Sequence, residues 1–250
     1  MFNFFCDKDN KQDGRYIVDG PDFNHIKNVL RMEIGDNCLI SCDGKSDLCR
    51  IDVFLDDAVC LEILEEDYAD TELPTKIYLF QGLPKGDKME YIIQKCVELG
   101  VYGIVPVEMK HCIVKLDNKK AKAKQARWQS IAESAAKQSK RNIIPNVMEV
   151  CSFAEALEFA KELDLILVPY ENKEGMGATI EALSQLKKVK SVGIFIGPEG
   201  GFEKGEIEKA LENNAKIISL GKRILRTETA AITAVGMCML QIEMLEGNNK

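Results

Sequence analysis

VGIFIGPEGGFEKGEIEKALENNAKIISLGKRILRTETAAITAVG, residues 192–236, decides the class of the fold. Val192 to Ile196 is an apolar run of strand length. Gly197-Pro198-Glu199-Gly200-Gly201 ends it with residues that permit tight backbone geometry and close approach to a ligand. The pattern then predicts a helix over 203–214, with Glu203, Glu206 and Glu208 toward its positive end, and a strand over 216–220. Gly221 opens a second loop, Lys222-Arg223-Ile224-Leu225-Arg226, and Thr227 caps a helix over 227–245 that is apolar on nearly every side. In an open α/β sheet two such loops lie beyond the carboxyl ends of strands, where ligands settle. GPEGG alone does not distinguish a ligand loop from a tight turn, since it lacks the Lys-Ser/Thr of a phosphate loop and the spacing of a dinucleotide fingerprint. Arg223, Arg226 and Glu228 in the second loop are more charge than a connecting turn between buried elements needs.

Outward from this stretch, strands are expected at 76–81, 103–107, 146–150 and 164–169, alternating with helices at 88–99, 120–141, 152–162 and 178–187. Such alternation implies a mainly parallel sheet covered on both faces. Pro169-Tyr170-Glu171 then gives a third loop on the side of the first two. Nearer the start, residues 15–18, 37–42, 47–54 and 58–64 read as short strands, Asp43-Gly44 as a hairpin turn, and 22–32 as a helix. The charged run from Glu65 to Glu72 marks the expected boundary between domains 1–72 and 73–250.

The net charge of −7 argues against a nucleic-acid partner only until it is divided. Residues 1–72 hold 7 Lys+Arg against 18 Asp+Glu, whereas 73–250 hold 26 against 22. Residues 110–142 carry 10 Lys+Arg against Asp117 and Glu133, a patch suited to phosphates, with Arg127, Lys137, Lys140 and Arg141 as its sharper candidates. Nine scattered cysteines without any Cys-x-x-Cys, and only His25 and His111 as imidazoles, indicate reduced thiols, no disulfide framework and no metal site. No stretch reads as the ~18–20 uncharged apolar residues of a membrane span, the last helix being the nearest and expected to be buried in protein. MFNFFCDKDN lacks a signal-peptide pattern, so a cytoplasmic protein without membrane contact is expected.

GPEGGF and LGKRILRTETA together resemble the carboxyl-terminal signature of the SPOUT-superfamily methyltransferases that methylate N3 of a uridine in 16S ribosomal RNA. The resemblance continues through QGLPKGDKMEYIIQKCVELGV, IVPVEMKHCIVKL and RWQSIAESAAKQSKRNIIP, and more faintly into DFNHIKNVLRMEIGD, and so covers nearly the whole chain. It implies an α/β fold: a SPOUT-type methyltransferase domain with a C-terminal trefoil knot and a mainly parallel sheet, preceded by a small PUA-like β-barrel that helps position RNA.

The implied cofactor is S-adenosylmethionine. Main-chain groups at Ile196, Gly197, Leu220 and Leu225 can hold its adenine, with Pro169, Tyr170, Glu171, Pro198, Gly200, Gly201, Gly221, Ile224, Thr229 and Ala230 around it. Gly200→Val is expected to block that site by placing a branched side chain where backbone meets ligand. Uracil N3 carries a proton and is a weak nucleophile, so an anion stabiliser or a base is needed. Arg226 suits the first role, and Glu199 or Glu228 the second, though either carboxylate can equally pair with Arg223 or Arg226. RNA contacts are expected at Arg31, Lys85, Lys110, Arg127, Lys137, Lys140, Arg141 and Arg223. The implied partners are 16S rRNA within the small ribosomal subunit and a second copy of the chain, covering the last helix. A ribose 2′-oxygen methyltransferase and a non-catalytic, RNA-binding ribosome-assembly factor remain open alternatives.

Overall fold

The computed structural model describes residues 1–170 and 175–247. They cluster into two units, Met1–Glu72 with Ala136–Ile144, and Leu73–Ala135 with Pro145 onward.

The first unit contains β1 (Asn3–Phe5), β2 (Lys11–Gln12), β3 (Arg15–Asp19), a short helix α1 (Gly20–Asn24), β4 (Asn37–Cys42), β5 (Lys45–Phe54) and β6 (Ala58–Ala69). They form one sheet in the order β1-β4-β5-β6-β3-β2, antiparallel except where β1 joins β4. Alternate residues of these strands, among them Tyr16, Val18, Cys38, Ile40, Cys49, Ile51, Val59 and Leu61, turn into one core with Phe4 and Ile26. Its cysteines act as small apolar filler; burial pushes the Cys38 thiol up to about 12. Asp43 and Gly44, with φ of 52° and 79°, make the two-residue turn from Cys42 to Lys45.

Two expectations fail in this unit. The helix expected at 22–32 is α1 followed by a wider π-helical turn, His25–Val29, ended by Arg31 at φ 53°. The strand expected at 58–64 runs on through the charged stretch, because β6 continues to Ala69. Its outward side chains are charged, so no alternation betrays the strand, yet β5 pairs with it through bulged register and the buried Asp47 carboxylate accepts the Asp67 N–H at 3.0 Å. Burial alone would raise Asp47, but the Asp67 N–H, the Tyr16 hydroxyl and Lys11 together hold it below the usual carboxylate range.

The second unit contains β7 (Lys76–Gly82), α2 (Lys88–Glu98), β8 (Gly103–Glu108), α3 (Asn118–Ser139, whose residues from Ala136 belong to the first unit), β9 (Asn146–Val147) and β10 (Cys151–Ser152). Then come α4 (Phe153–Ala160), β11 (Leu165–Pro169), α5 (Gly177–Ser184), β12 (Ser191–Ile196), α6 (Lys204–Glu212), β13 (Lys216–Ile218) and α7 (Thr227–Gly247). The strand expected at 146–150 divides into β9 and β10, both on β8. The sheet order is β10-β8-β7-β12-β11-β13, and every pairing is parallel. Buried β7 and β12 lie side by side at its centre, where Phe80 and Phe195 stack with centroids 4.2 Å apart.

β13 is an edge strand, yet α7, the next element, packs on α2, β7 and β12. The chain therefore turns back across the carboxyl ends of β11 and β12, the crossing on which the implied knot depends. A buried chain of hydrogen bonds fixes this return: Gln81 Nε2 donates to Thr227 Oγ1 at 2.9 Å, and Thr227 Oγ1 donates to the Gly197 carbonyl at 2.7 Å. The helix α7 corrects another expectation. Its Thr227–Leu245 segment is long and apolar enough, by length and composition, to cross a membrane, and only 28% of that window is buried. One face meets the sheet and α2, while Leu240 and Met244 stay 50% and 61% exposed.

Candidate active site

The loops after β11, β12 and β13 open at the carboxyl end of the parallel sheet and surround a cavity of about 410 Å³. The first wall comes from GPEGG. A side chain at Gly197 would bring its Cβ to 3.1 Å from the Gly201 backbone, and Gly201 itself takes φ 68°. The Gly201 N–H closes the turn on the Pro198 carbonyl at 2.9 Å. His111 holds the same turn from outside: its Nδ1 lies 3.0 Å from the Gly200 carbonyl and 3.2 Å from that of Gly201. Both partners can only accept, so Nδ1 carries the proton.

The second wall is the 219–226 loop. Thr179 Oγ1 donates to the Ser219 carbonyl and accepts the Ser219 N–H, each at 2.9 Å, which ties the loop's start to α5. Gly221 then turns the chain at φ 107°, a conformation that disfavours any side chain. Pro169 and Tyr170 add the third wall, and the Tyr170 N–H reaches the Ile218 carbonyl at 3.0 Å.

The rim is charged. Glu199 Oε1 accepts the Lys85 N–H at 3.1 Å and Lys88 Nζ at 2.8 Å, and Lys88 Nζ lies 3.7 Å from Glu228 Oε2. Burial by itself would raise the Glu199 carboxyl; the Lys88 hydrogen bond and backbone donors more than offset it, so the group is held below the usual glutamate range. Its hydrogen bond to Glu199 in turn raises Lys88 and keeps it protonated. Glu228 Oε2 is buried and accepts no hydrogen bond.

Of the residues singled out from sequence, Pro169, Tyr170, Ile196, Gly197, Pro198, Gly201, Leu220, Gly221, Ile224, Leu225 and Ala230 line the cavity, as do Glu199, Arg223 and Arg226. Three do not. Gly200 faces His111, where an added Cβ would lie 2.8 Å from that residue's own Cβ, so a side chain there meets protein and not the cavity. Thr229 is exposed one position before Ala230 and on a different side of α7, and Glu228 points toward Lys88. Glu171 lies outside the described residues.

The basic candidates divide sharply. Arg141 is 3% exposed and its guanidinium is spent on Glu72, with Nε 2.8 Å from the carboxylate, so it is a buried structural arginine and not a phosphate contact. Its backbone carbonyl also accepts from Asn3 at 3.0 Å, which fastens 136–144 to the first unit. Lys137 pairs with Asp22 at 2.7 Å, and Arg127 with Glu90 at 2.7 Å, although Arg127 stays largely exposed. Lys85, Lys110, Lys140, Arg31 and Arg223 are exposed. Lys119 and Lys122, on the first turns of α3, are exposed too and make no ion pair among the described residues. Sequence reasoning missed Lys88, Gln81 and His111. All three lie in motifs quoted for the resemblance, QGLPKGDKMEY and EMKHC, but nothing local says what they touch.

The residues fit a nucleoside. The cavity is within the ~300–1,000 Å³ of small-molecule sites, and its inner walls are main chain, aliphatic side chains and Tyr170.

The family model described as RNA methyltransferase domain matches residues 71–239, and one described as RNA methyltransferase PUA domain matches residues 18–51. The Ribosomal RNA small subunit methyltransferase E of Bacillus subtilis (strain 168) is 42% identical over 238 residues, 93% of each chain. The protein of the same name from Mesomycoplasma hyopneumoniae is 33% identical, over 96% of this chain and 99% of its own. Among solved structures, the Neisseria gonorrhoeae Ribosomal RNA small subunit methyltransferase E bound to S-adenosyl methionine superposes with a TM-score of 0.79 at 36% identity, covering 94% of this chain and 96% of that one. A Legionella pneumophila methyltransferase in complex with the cofactor SAM gives 0.81 at 30% identity, covering 96% and 97%.

Proposed function

Because this chain belongs to the RNA methyltransferase family, with a SPOUT-type methyltransferase domain and a PUA-like domain before it, we propose that it methylates N3 of a uridine in the 16S rRNA of the small ribosomal subunit, with S-adenosylmethionine as methyl donor. The observation that carries this reading is the cavity at three strand ends, with backbone-lined walls and a rim bearing Glu199, Lys88 and Arg226.

S-adenosylmethionine, when bound, supplies a methyl group already activated on a sulfonium. The protein's residues do the remaining work. Main chain at Ile196–Gly197 and along 220–225 holds the nucleoside, and the Gln81–Thr227–Gly197 chain keeps the two walls at fixed spacing. Arg226, exposed on the rim, stabilises the uracil anion through its carbonyl oxygens, and a rim carboxylate takes the N3 proton. N3 lies on the Watson–Crick edge, so the uridine must be unpaired or turned out of its helix. Lys110, Lys119 and Lys122 are exposed and face the phosphates in this reading, and the acidic first unit guides RNA through few contacts such as Arg31. A second copy of the chain covers the apolar side of α7 around Leu240 and Met244.

Nucleoside mass spectrometry of 16S rRNA from cells lacking the gene, with and without complementation, tests the reading. Loss and recovery of 3-methyluridine is expected; an unchanged level, or loss of a 2′-O-methylated nucleoside instead, rejects it. Sedimentation of the purified protein checks the dimer, and a monomer at micromolar concentration counts against it.

A further inference from the structure

We propose that Lys88 is a positioning residue for catalysis: it grips Glu199 by one oxygen and so presents the other, Oε2, as the acceptor of the uracil N3 proton. This deepens the reading above and rests on it.

The two candidate carboxylates differ in access. Glu228 does not line the cavity, and its Oε2 is buried without a hydrogen-bond donor, so an incoming base cannot reach that oxygen. Glu199 lines the cavity with a side chain 27% exposed. Both donors that reach it from other residues, the Lys85 N–H and Lys88 Nζ, converge on Oε1, leaving Oε2 outside their grip. The lysine is itself fixed. It starts α2, lines the same cavity, and is shared between Glu199 at 2.8 Å and Glu228 at 3.7 Å, which joins the loop after β12 to the first turn of α7. The charged groups around Lys88 are thus Glu199 from the loop after β12, Glu228 from α7 and Arg226 from the loop before it, and the side-chain partner of Glu199 is Lys88.

In the step itself, the N3–H proton passes to Glu199 Oε2 while the N3 electron pair forms the bond to the methyl carbon. The carbon–sulfur bond breaks with its pair going to sulfur, leaving a neutral thioether, and the glutamic acid later returns the proton to water. A carboxylate held ionised is a weak base, but it is always in the accepting state near neutrality, and the sulfonium needs only a modest rise in N3 nucleophilicity. Removing Lys88 frees Glu199 to rotate and takes away the largest of the contributions that hold its carboxyl low, so its pKa rises. A general base works only when deprotonated, so the acid limb of the kcat profile moves to higher pH.

The experiment uses the full-length protein, small ribosomal subunits lacking the modification, and three variants: Lys88→Met, Lys88→Arg and Glu199→Gln. Lys88→Met is expected to lower kcat roughly 10- to 100-fold, with KM for RNA and S-adenosylhomocysteine affinity by calorimetry changing far less. Its acid limb moves to higher pH, and Lys88→Arg moves it back. In the Glu199→Gln background, Lys88→Met adds little further loss, because its effect passes through the carboxylate. A titration of the Glu199 side-chain carboxyl by carbon NMR, without cofactor or RNA, is expected to show the same upward displacement in Lys88→Met, and thermal melting checks that the variants fold. An unchanged acid limb, an unmoved Glu199 titration, or full additivity of the two substitutions overturns the proposal. If the unaltered protein transfers no methyl to uridine N3, the underlying reading fails instead, whatever the variants do.

Discussion

The paired loops at 197–203 and 219–226 and the basic stretch at 110–142 were both marked by composition, yet they end in opposite conditions. In the loops, residues of two motifs meet around one cavity. In the basic stretch, Arg127, Lys137 and Arg141 turn to Glu90, Asp22 and Glu72, and only part of the charge faces outward. Glycine reaches backbone conformations closed to other residues and proline fixes φ, so the turns that such a loop makes are set by its own residues. A cation has no such local constraint, and any carboxylate brought near by the fold can claim it.

The largest expected effect breaks the comparison from the basic side. Arg141→Ala removes a buried guanidinium, leaves the half-buried Glu72 carboxylate with the Asn142 N–H alone of these donors, weakens the contacts that fasten 136–144, and should cost about 3 kcal/mol. A chemical denaturation midpoint that barely moves would return Arg141 to the surface patch. Arg226→Ala tests the loop side. Losing a donor aimed at developing negative charge typically lowers kcat by roughly 10²–10³, while calorimetric affinity for S-adenosylmethionine stays close to that of the parent. Equal losses in both would make Arg226 a cofactor residue and remove it from the anion-stabilising role.

How much was legible follows the same division. The alternation from residue 76 onward, the Asp43-Gly44 turn and the cavity's two principal walls follow from patterns within a few residues of one another. The far half of β6 was not legible, because its partners are a neighbouring strand and a buried aspartate, and its own side chains read as solvent-facing charge. Nor were the site's supports. Gln81 meets Thr227 from 146 residues away, Lys88 meets Glu199 from 111, and His111 meets Gly200 from 89. Polar contacts of that range leave no periodic trace in one sequence.

Gly200 sharpens the point within the loop itself. Gly200→Val should still weaken S-adenosylmethionine binding, roughly ten-fold by calorimetry, but through His111. The new side chain drives GPEGG away from the His111 Cβ 2.8 Å off, and the two hydrogen bonds from Nδ1 go with it. The discriminating measurement is Gly200→Ala with and without His111→Gly. With the opposing Cβ gone, Gly200→Ala should cost less affinity relative to His111→Gly alone than it costs in the parent. An equal cost in both backgrounds would place the ligand, not the histidine, against Gly200.

The smallest effect concerns the cations that remain free. Lys119 and Lys122 are exposed on α3 without an ion pair among the described residues, whereas Arg127 on the same helix already serves Glu90. Each phosphate contact contributes about 0.7–0.9 to the slope of log affinity against log salt. Lys119→Gln with Lys122→Gln should therefore lower the slope for ribosomal RNA by roughly 1.5, with the melting temperature unchanged, while Arg127→Gln lowers it by less. The reverse order, with Arg127 carrying the salt dependence and the two lysines none, would mean that the Glu90 pair opens when RNA arrives, and that an ion pair made in the free protein does not remove a cation from the interface.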